Sequence, residues 1–455
     1  MSRFVSKGQT RDRLAASVAA WGTVTAALLL VSPVGAQDAK PSEAPQSVVA
    51  EPKAQAGPAA PEAKSPAKEP AKLPPASAGP EGFFIQSENG DYKLRVSGYI
   101  QADSRFYLND EAGAGTNSFL LRRVRPVFQG TVAKFFEFYV VPDFGEGKVV
   151  LYDAYADLRF SSAFRFRFGK SKPPIGLERL QSGSTLTFIE RALPTQLVPN
   201  RDVGPSILGD LAGGVFSYAV GLVNGGPDGT LSDSDTNDSK DVVGRVVVRP
   251  FKKSKSKWIN GLGLAVAGSD GKQKGALPAF KSGGQLTFFS YDVKSQADGT
   301  RTRFSPQAFW TGGPLGVFAE YVSSKQEVRK GTVSSRIGNA AWQVAGIVML
   351  TGESASVTGV KPKKPFDPSN GTWGALELVA RYNTLDVDDA AFDLGLADPT
   401  SSATEAKAFA LGLNWHLSQR FKYIVNYERT KFAGGAKVGD RPTENALLVR
   451  AQISF

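Results

Sequence analysis

The stretch Ser118–Gly130, SFLLRRVRPVFQG, places three arginines in a run that otherwise has the composition of a buried strand. Successive side chains of a β-strand point to opposite faces. Arg123, Arg125 and Gln129 therefore share one face, and Val124, Phe128 and Val132 lie on the other. A strand with water on one face and lipid on the other satisfies both sets of side chains, so the stretch predicts the wall of a membrane-spanning β-barrel.

Two residues of this stretch do not fit simple alternation. Arg122 has the parity of the apolar face, so its side chain reaches water only near a strand end or past a β-bulge. Pro126 has the same parity and lacks a backbone N–H, which costs the sheet one ladder hydrogen bond.

The same alternation recurs along the chain, beginning with the long run Tyr92–Leu108. Its even positions are mostly apolar and its odd positions mostly polar, as expected for a tilted spanning strand that continues above the bilayer. We predict sixteen strands, at residues 92–108, 118–132, 135–144, 149–160, 163–170, 201–211, 215–223, 241–250, 260–269, 301–311, 315–325, 340–350, 374–385, 405–417, 420–432 and 444–455. An even count of this size is typical of outer-membrane barrels with a water-filled lumen.

Short and long connections alternate between these strands, which is the outer-membrane arrangement of turns on one side and loops on the other. The predicted long loops are 171–200, 224–240, 270–300, 326–339, 386–404 and 433–443. The segment 351–373 is an exception, since it is long but falls on the short-turn side.

The N-terminal region predicts export. Residues 1–36 combine a basic start, an apolar run and a small-residue cleavage site, which is typical of a secretory signal peptide. Residues 37–81 are rich in Ala, Pro, Lys and Glu and predict a disordered linker, because they contain too few large apolar groups to form a core. Residues 82–455 form the predicted barrel domain.

Composition narrows the choice of partners. The formal net charge of +11 favours anionic partners, and export argues against nucleic acid. The chain has no cysteine and therefore no disulfide or cysteine metal site. No cofactor is expected. A soluble β-sandwich or propeller is the alternative fold, but its strands would pack one face in a common core, whereas these aromatic-rich faces require an apolar medium all round.

Several strings in this order resemble the phosphate-selective porins O and P of bacterial outer membranes, among them FLLRRVRPVFQG, FGKSKPPIGLERLQS, ERALP, LTGESASVTGVKPKKPF and GALELVARYN. The resemblance covers residues 82–455. It implies a sixteen-stranded, all-β, antiparallel transmembrane barrel with infolded constriction loops. It also implies a homotrimer in the outer membrane lipid and a lumen whose arginines, lysines and hydroxyl groups bind anions such as phosphate and polyphosphate.

A selective anion pore needs fixed donors to replace lost water, and each site must bind weakly enough for release. Arginines two or four residues apart on one strand would provide such a ladder. The candidates in the strands are Arg122, Arg123, Arg125, Arg165, Arg167, Arg245, Arg249, Arg301 and Arg303. Any water-filled lumen tolerates charge, so an ordinary solvated wall is the alternative interpretation.

Two connections add further candidates. The prolines around Lys361, Lys363 and Lys364 would place these cations either at the constriction or in a solvated periplasmic turn. Ser182 and Ser184 offer hydroxyl donors in the loop 171–200, the third connection on the outer side, which in porins commonly folds inward. That loop has no lysine between Pro173 and Asn200, whereas phosphate-selective relatives carry one, which argues against strict phosphate selectivity.

Two other motifs suggest chemistry but lack the residues it needs. The run 232–238 begins like a calcium loop, but Asp238 stands at the position that requires glycine, and Gly244 stands at the position of the bidentate Glu. His416 and Ser418 resemble the pair of a lipase-like barrel enzyme, but the sequence does not otherwise assemble a triad.

The sequence thus predicts a non-enzymatic outer-membrane porin that passes small anions, with the linker in the periplasm. A general, weakly selective pore is the first alternative. An adhesin or scaffold barrel that tethers the envelope through residues 37–81 is the second.

Overall fold

A computed structural model describes residues 76–79, 82–110, 115–231, 233, 235 and 237–455. The predicted signal peptide and residues 37–75 of the predicted linker lie outside the described residues. The paired strands of the described residues are all antiparallel to each other. One sheet contains eighteen strands, and sixteen of them close into a barrel.

The barrel strands are β3 (Lys93–Tyr107), β4 (Ser118–Val132), β5 (Phe136–Asp143), β6 (Val150–Arg159), β7 (Arg165–Ser171), β8 (Asp202–Leu211), β9 (Phe216–Val223), β10 (Asp241–Val248), β11 (Gly263–Gly275), β14 (Gln296–Gly312), β15 (Leu315–Lys330), β16 (Val333–Met349), β17 (Ala375–Asp386), β18 (Ala403–His416), β19 (Phe421–Gly434) and β20 (Glu444–Ser454). The four other strands are β1 (Ala76–Gly79), β2 (Gly82–Gln86), β12 (Ala279–Lys281) and β13 (Thr287–Ser290). Each of the sixteen predicted strands is present, and the prediction of a closed antiparallel barrel is confirmed.

The helices of the described residues are short. They are α1 (Leu177–Leu180), α2 (Ala390–Asp393) and 3-10 turns at Gly145–Gly147, Leu193–Leu197 and Pro368–Asn370. Among the described residues no helix has the length and apolar character needed to cross a membrane.

The barrel closes where β20 pairs with β3, from Ala446 opposite Tyr107 to Ser454 opposite Tyr99. Phe455 continues this seam, because it exchanges both backbone hydrogen bonds with Gly98. Beyond it, the hairpin of β1 and β2 covers the remaining edge of β3, with Phe83 opposite Val96. The predicted boundary between linker and barrel at residue 81 therefore falls inside this hairpin.

The outer surface of the barrel is apolar. Along β4, Phe119, Leu121 and Phe128 are exposed on the outside. The same holds for the outward positions of other strands, including Phe168, Val220, Leu264, Phe304, Leu378, Leu411, Val425 and Ile453. A band of exposed aliphatic and aromatic side chains around a closed barrel requires a lipid environment, as the alternation predicted.

Arg122 is the extra residue of a β-bulge. The register between β3 and β4 shifts at this point, so that Gln101 lies opposite Arg123 and Ala102 lies opposite Leu121. Arg122 has no partner of its own in the ladder. The bulge turns its side chain inward, which confirms the second of the two explanations that its parity allowed.

Pro126 is accommodated by the pairing around it. It lies opposite Gly98, which directs both of its backbone hydrogen bonds to Phe455 rather than to β4. On its other side, the pairing between β4 and β5 begins only at Phe128. The missing N–H therefore removes no hydrogen bond from either ladder.

The connections differ from prediction in two places. The predicted loop 270–300 contains the last residues of β11, the hairpin of β12 and β13 and the first residues of β14. The predicted loop 326–339 is wrong, since β15 and β16 extend through it and turn at residues 331–332. These extensions were predicted as loop because they are mostly polar on both faces. Above the bilayer neither face of a strand needs to be apolar. The long segment 351–373 on the short-turn side is confirmed as irregular apart from its 3-10 turn.

Part of the lumen is filled by apolar side chains from loops. The hairpin of β12 and β13 carries Phe280, Phe288 and Phe289, which are fully buried against Val322 of β15 and Phe432 of β19. A second core joins Phe188 of the loop between β7 and β8 to Ile347 of β16. The loops therefore pack against the β14–β19 side of the barrel.

Candidate functional site: an infolded loop and an arginine-lined lumen

Residues 172–201, here called the infolded loop, lie inside the barrel. Amide side chains on the wall bind the backbone of this loop. Asn383 accepts from the Leu193 N–H at 3.0 Å, and Asn426 accepts from the Ile189 N–H at 2.7 Å. Further wall donors bind its carbonyl oxygens, namely Gln101 to Gly183, Asn414 to Thr187, Lys422 to Leu186 and Gln452 to Ser184.

Charged groups anchor the first turn of the infolded loop. The Glu320 carboxylate accepts from the Leu177 N–H at 2.6 Å and from the Glu178 N–H at 3.3 Å. Arg381 of β17 bonds the Glu178 carboxylate at 3.3 Å and the carbonyl of Glu190 at 3.1 Å. Both ends of the loop segment are thus fixed to the wall.

A cavity of about 350 Å³ remains between the infolded loop and strands β7–β10. We call it the arginine cavity. Within the described part of the chain, its charged lining consists of Arg165, Arg167, Lys172 and Arg245 with a single acid, Asp210. Serine hydroxyls and the aromatic edge of Tyr218 complete the polar lining. This part of the lumen therefore has an excess of positive charge.

The acid that pairs with two of these arginines lies behind them. Arg167 bonds Asp157 through two N–H groups at 2.7 and 2.9 Å, and Arg165 approaches the same carboxylate at 3.4 Å. The side chain of Asp157 is 3% exposed, compared with 31% for Arg165 and 18% for Arg167. The guanidinium groups therefore present positive charge to water while their counter-charge is recessed. Tyr155 supports Arg167 through its ring face at 3.7 Å.

The three arginines of β4 are all inside the barrel but have different surroundings. Arg125 is buried between Asp143, which it bonds at 2.8 Å, and the ring of Tyr152 at 3.7 Å. Arg123 bonds the Gln101 side chain at 2.7 Å. Arg122 bonds Glu190 of the infolded loop at 2.6 Å and remains partly exposed.

Four candidate arginines remain. Arg245 lines the arginine cavity, whereas Arg249, Arg301 and Arg303 are not part of its lining. Arg245 bonds only a neutral partner among the described residues, Gln307, at 2.7 Å. Arg301 and Arg303 are buried in ion pairs with Asp241 and donate hydrogen bonds to carbonyl oxygens of the loop after β9. Arg249 lies just past the end of β10, where it bonds the Ser217 hydroxyl at 3.1 Å.

The lysines of the segment 351–373 are exposed. Val360, next to Lys361, is buried in the core that contains Phe188 of the infolded loop, so the segment contacts that loop from the short-turn side. The amine of Lys363 bonds the Gly352 carbonyl at 2.5 Å, and Lys364 points to water. In the same segment, hydrogen bonds from the Asn370 side chain and from backbone N–H groups lower the pKa of Asp367, which favours the ionised form of this carboxyl.

Ser182 and Ser184 lie at the tip of the infolded loop with their hydroxyl oxygens 2.9 Å apart. Both are at least partly accessible. Their hydroxyls can therefore turn toward a passing solute.

Sequence reasoning missed cations close to or within the infolded loop, because it searched this loop only for lysine after Pro173. Lys172 bonds the carbonyl oxygens of Leu180 and Gln181 at 3.1 and 2.6 Å and borders the arginine cavity. Arg191 bonds the carbonyl oxygen of Glu178 at 3.1 Å. These side chains brace the loop and add positive charge to it.

The two rejected motifs have structural roles. Asp233 pairs with Lys170, and Asp235 pairs with Lys240. The ring of His416 lies 2.9 Å from Glu377, whereas the Ser418 hydroxyl accepts from the backbone N–H groups of a turn. The histidine and the serine therefore serve different local contacts.

Comparison with known proteins identifies relatives of this chain. The sequence model of the family "Phosphate-selective porin O and P" matches residues 94–455. Porin O of Pseudomonas aeruginosa is 23% identical over 381 residues, which cover 77% of this chain and 85% of that protein.

Solved outer-membrane proteins share the fold. The outer membrane channel DcaP of Acinetobacter baumannii superposes with a TM-score of 0.54, at 12% identity, over 82% of this chain and 99% of that one. OmpF of Salmonella typhi, solved in complex with daunomycin, gives a TM-score of 0.51 at 12% identity, over 82% of this chain and 100% of its own.

Proposed function

Because the chain belongs to the phosphate-selective porin O and P family and has a porin fold, we propose that this outer-membrane channel passes small anions such as phosphate or polyphosphate in preference to cations. A signal peptide at 1–36, a periplasmic linker at 37–81 and a homotrimeric assembly are part of the same proposal. Phosphate selectivity rests on the family name and on the chemistry of the lining.

The observation that carries the proposal is the placement of charge in the arginine cavity. Its cations are partly exposed, and Asp157 is recessed behind them. Fixed cations in a low-dielectric wall raise the local concentration of anions and lower that of cations. Guanidinium groups also match the oxygen geometry of phosphate. Arg301 and Arg303 are left out of the proposed pathway because their charges are already compensated.

The test neutralises Arg165 and Arg245 together. This choice leaves Arg167 in its two hydrogen bonds with Asp157 and exposes no unpaired acid, since Arg245 bonds a neutral glutamine. Each removed charge weakens the attraction of an anion by about 1 kcal/mol at an effective dielectric near ~20 and a separation well beyond contact. We therefore expect Arg165→Gln with Arg245→Gln to lower the anion-to-cation permeability ratio several-fold, measured from reversal potentials in a KCl gradient.

The matched control is Arg329→Gln. Arg329 pairs with Asp298 near the long-loop end and is well exposed, so its loss changes the total charge outside the lumen. We expect this variant to keep the wild-type reversal potential. A double variant that also kept it would favour the general, weakly selective pore. A wild-type protein without channel activity would favour the tethering barrel.

A further inference from the structure

Glu190 of the infolded loop lies at the centre of an arginine cluster. Within the described part of the chain, guanidinium groups from three strands approach its carboxylate. Arg122 bonds it at 2.6 Å, and Arg123 lies at 3.5 Å. Arg105 of β3 and Arg450 of β20 lie at 3.7 and 4.0 Å. We call the four arginines, Arg105, Arg122, Arg123 and Arg450, the arginine cradle.

The cradle has more positive than negative charge. Arg450 bonds Asp103 through two N–H groups, each at 2.7 Å. A third carboxylate, Glu146, lies 3.1 Å from Arg122, but its side chain is 40% exposed. Among the described residues, the buried Nε and one terminal nitrogen of Arg105 and one terminal nitrogen of Arg450 have no hydrogen-bond partner. The cradle can therefore bind more anionic oxygen than it holds.

We propose that Glu190 is a tethered counter-anion, whose carboxylate occupies the position of a permeating oxyanion in the arginine cradle. This inference rests on the proposed function. Carboxylate and phosphate oxygens bind guanidinium forks in the same way, so the two compete for the same donors. By occupying the strongest of these donors, Glu190 weakens oxyanion binding enough for a solute to leave, which a conducting pore requires.

The position of the loop does not depend on this carboxylate. Arg381 holds the backbone carbonyl of Glu190 at 3.1 Å, and Asn426 holds the N–H of Ile189 at 2.7 Å. The Glu178 side chain fixes the N–H of Ala192 at 2.7 Å. Replacing the side chain of Glu190 by its neutral isostere should therefore leave the loop in place and change only the charge in the cradle.

The experiment measures how inorganic phosphate blocks the chloride current of single channels. In Glu190→Gln, the half-blocking phosphate concentration should fall roughly tenfold, because one negative charge is removed from a partly desolvated site. Glu146→Gln is the matched control, since it removes the same charge from beside two of these arginines, Arg105 and Arg122, at a more exposed position. We expect a clearly smaller fall in that variant.

The proposal is overturned if Glu190→Gln shows the wild-type phosphate block, or no stronger block than Glu146→Gln. Heat-modifiable migration on gels reports whether each variant has assembled. If Glu190→Gln does not assemble, Glu190→Asp keeps the charge but withdraws it from Arg122 by one methylene. An intermediate fall in half-blocking concentration would then support the proposal, and an unchanged value would refute it. The reversal potential of the wild type tests the proposed function separately.

Discussion

Arg125 shows how a lumen arginine becomes part of the wall. Its guanidinium bonds Asp143 at 2.8 Å, donates to the Tyr99 hydroxyl oxygen at 3.0 Å and stacks on the Tyr152 ring. Both members of the ion pair are buried. A buried ion pair of this kind is costly to break on one side, because the remaining charge stays desolvated.

We therefore predict that Arg125→Gln destabilises the barrel by about 3 kcal/mol, since it leaves the Asp143 carboxylate without its cation. Adding Asp143→Asn should recover most of this loss, because the second change removes the uncompensated charge. Urea unfolding from lipid vesicles, followed by tryptophan fluorescence, gives the free energies of unfolding of the wild type and the two variants. Equal stabilities for the single and double variants would contradict the prediction.

Parity along a strand made part of the site predictable. It placed Arg123 and Arg125 inside, and it restricted Arg122 to a strand end or a bulge. Glu190 could not be assigned in this way, because a loop residue has no parity and its environment depends on which wall side chains hold the loop. Arg450 had the inner parity, but the sequence does not reveal that β20 lies beside β3 at the height of Arg122.

The infolded loop is the element on which the shape of the lumen depends. Most of this loop lacks regular secondary structure, so its backbone N–H and C=O groups need hydrogen-bond partners from outside the loop. Wall side chains such as Asn414 and Asn426 supply them. The polar inner face of strands β16–β20 therefore has two roles. It faces the water of the lumen, and it holds the loop that forms the constriction.

We predict that Asn414→Ala with Asn426→Ala loosens the infolded loop, because each change leaves a buried backbone group unpaired at a cost of about 1–3 kcal/mol. Open-channel current noise should rise, and amide hydrogens of residues 186–190 should exchange faster. Gln273→Ala is the control, since Gln273 bonds Asp241 and does not hold the loop. Unchanged noise and exchange in the double variant would mean that the other contacts of the loop, such as those of Arg381 and Phe188, fix it without these two amides.

Strand positions were predictable because the lipid imposes apolar residues on one face of each strand. That constraint ends at the bilayer surface. The sequence pattern therefore did not predict the parts of β14, β15 and β16 that extend beyond the bilayer. It also did not predict the hairpin of β12 and β13. The aromatic residues of that hairpin were visible in the sequence, but a loop that packs inside a barrel leaves no periodic signal.

At the scale of the whole molecule, closure depends on the end of the chain. Phe455 shares two backbone hydrogen bonds with Gly98, and its ring fills the space that a side chain at Gly98 would need. The last strand and the first barrel strand therefore meet through the final residues.

We predict opposite results for two truncations. Deleting Ile453–Phe455 should abolish heat-modifiable migration and leave the protein degraded or aggregated in the periplasm, because the seam with β3 cannot form. Deleting residues 37–75 should leave both migration and conductance at wild-type values, since the predicted linker does not contribute to a core. Normal migration of the C-terminal truncation, or a lost channel in the linker deletion, would contradict these expectations.

The bulge at Arg122 has a consequence for how such a wall can change through evolution. An insertion of one residue into a spanning strand normally inverts every later side chain, which exposes charge to lipid and is eliminated by selection. Here the additional residue is absorbed between Gln101 and Ala102 of the neighbouring strand, and the alternation resumes on both sides. A single inserted codon could thus have added a lumen cation without altering the rest of the barrel, and a deletion of that codon would reverse the step.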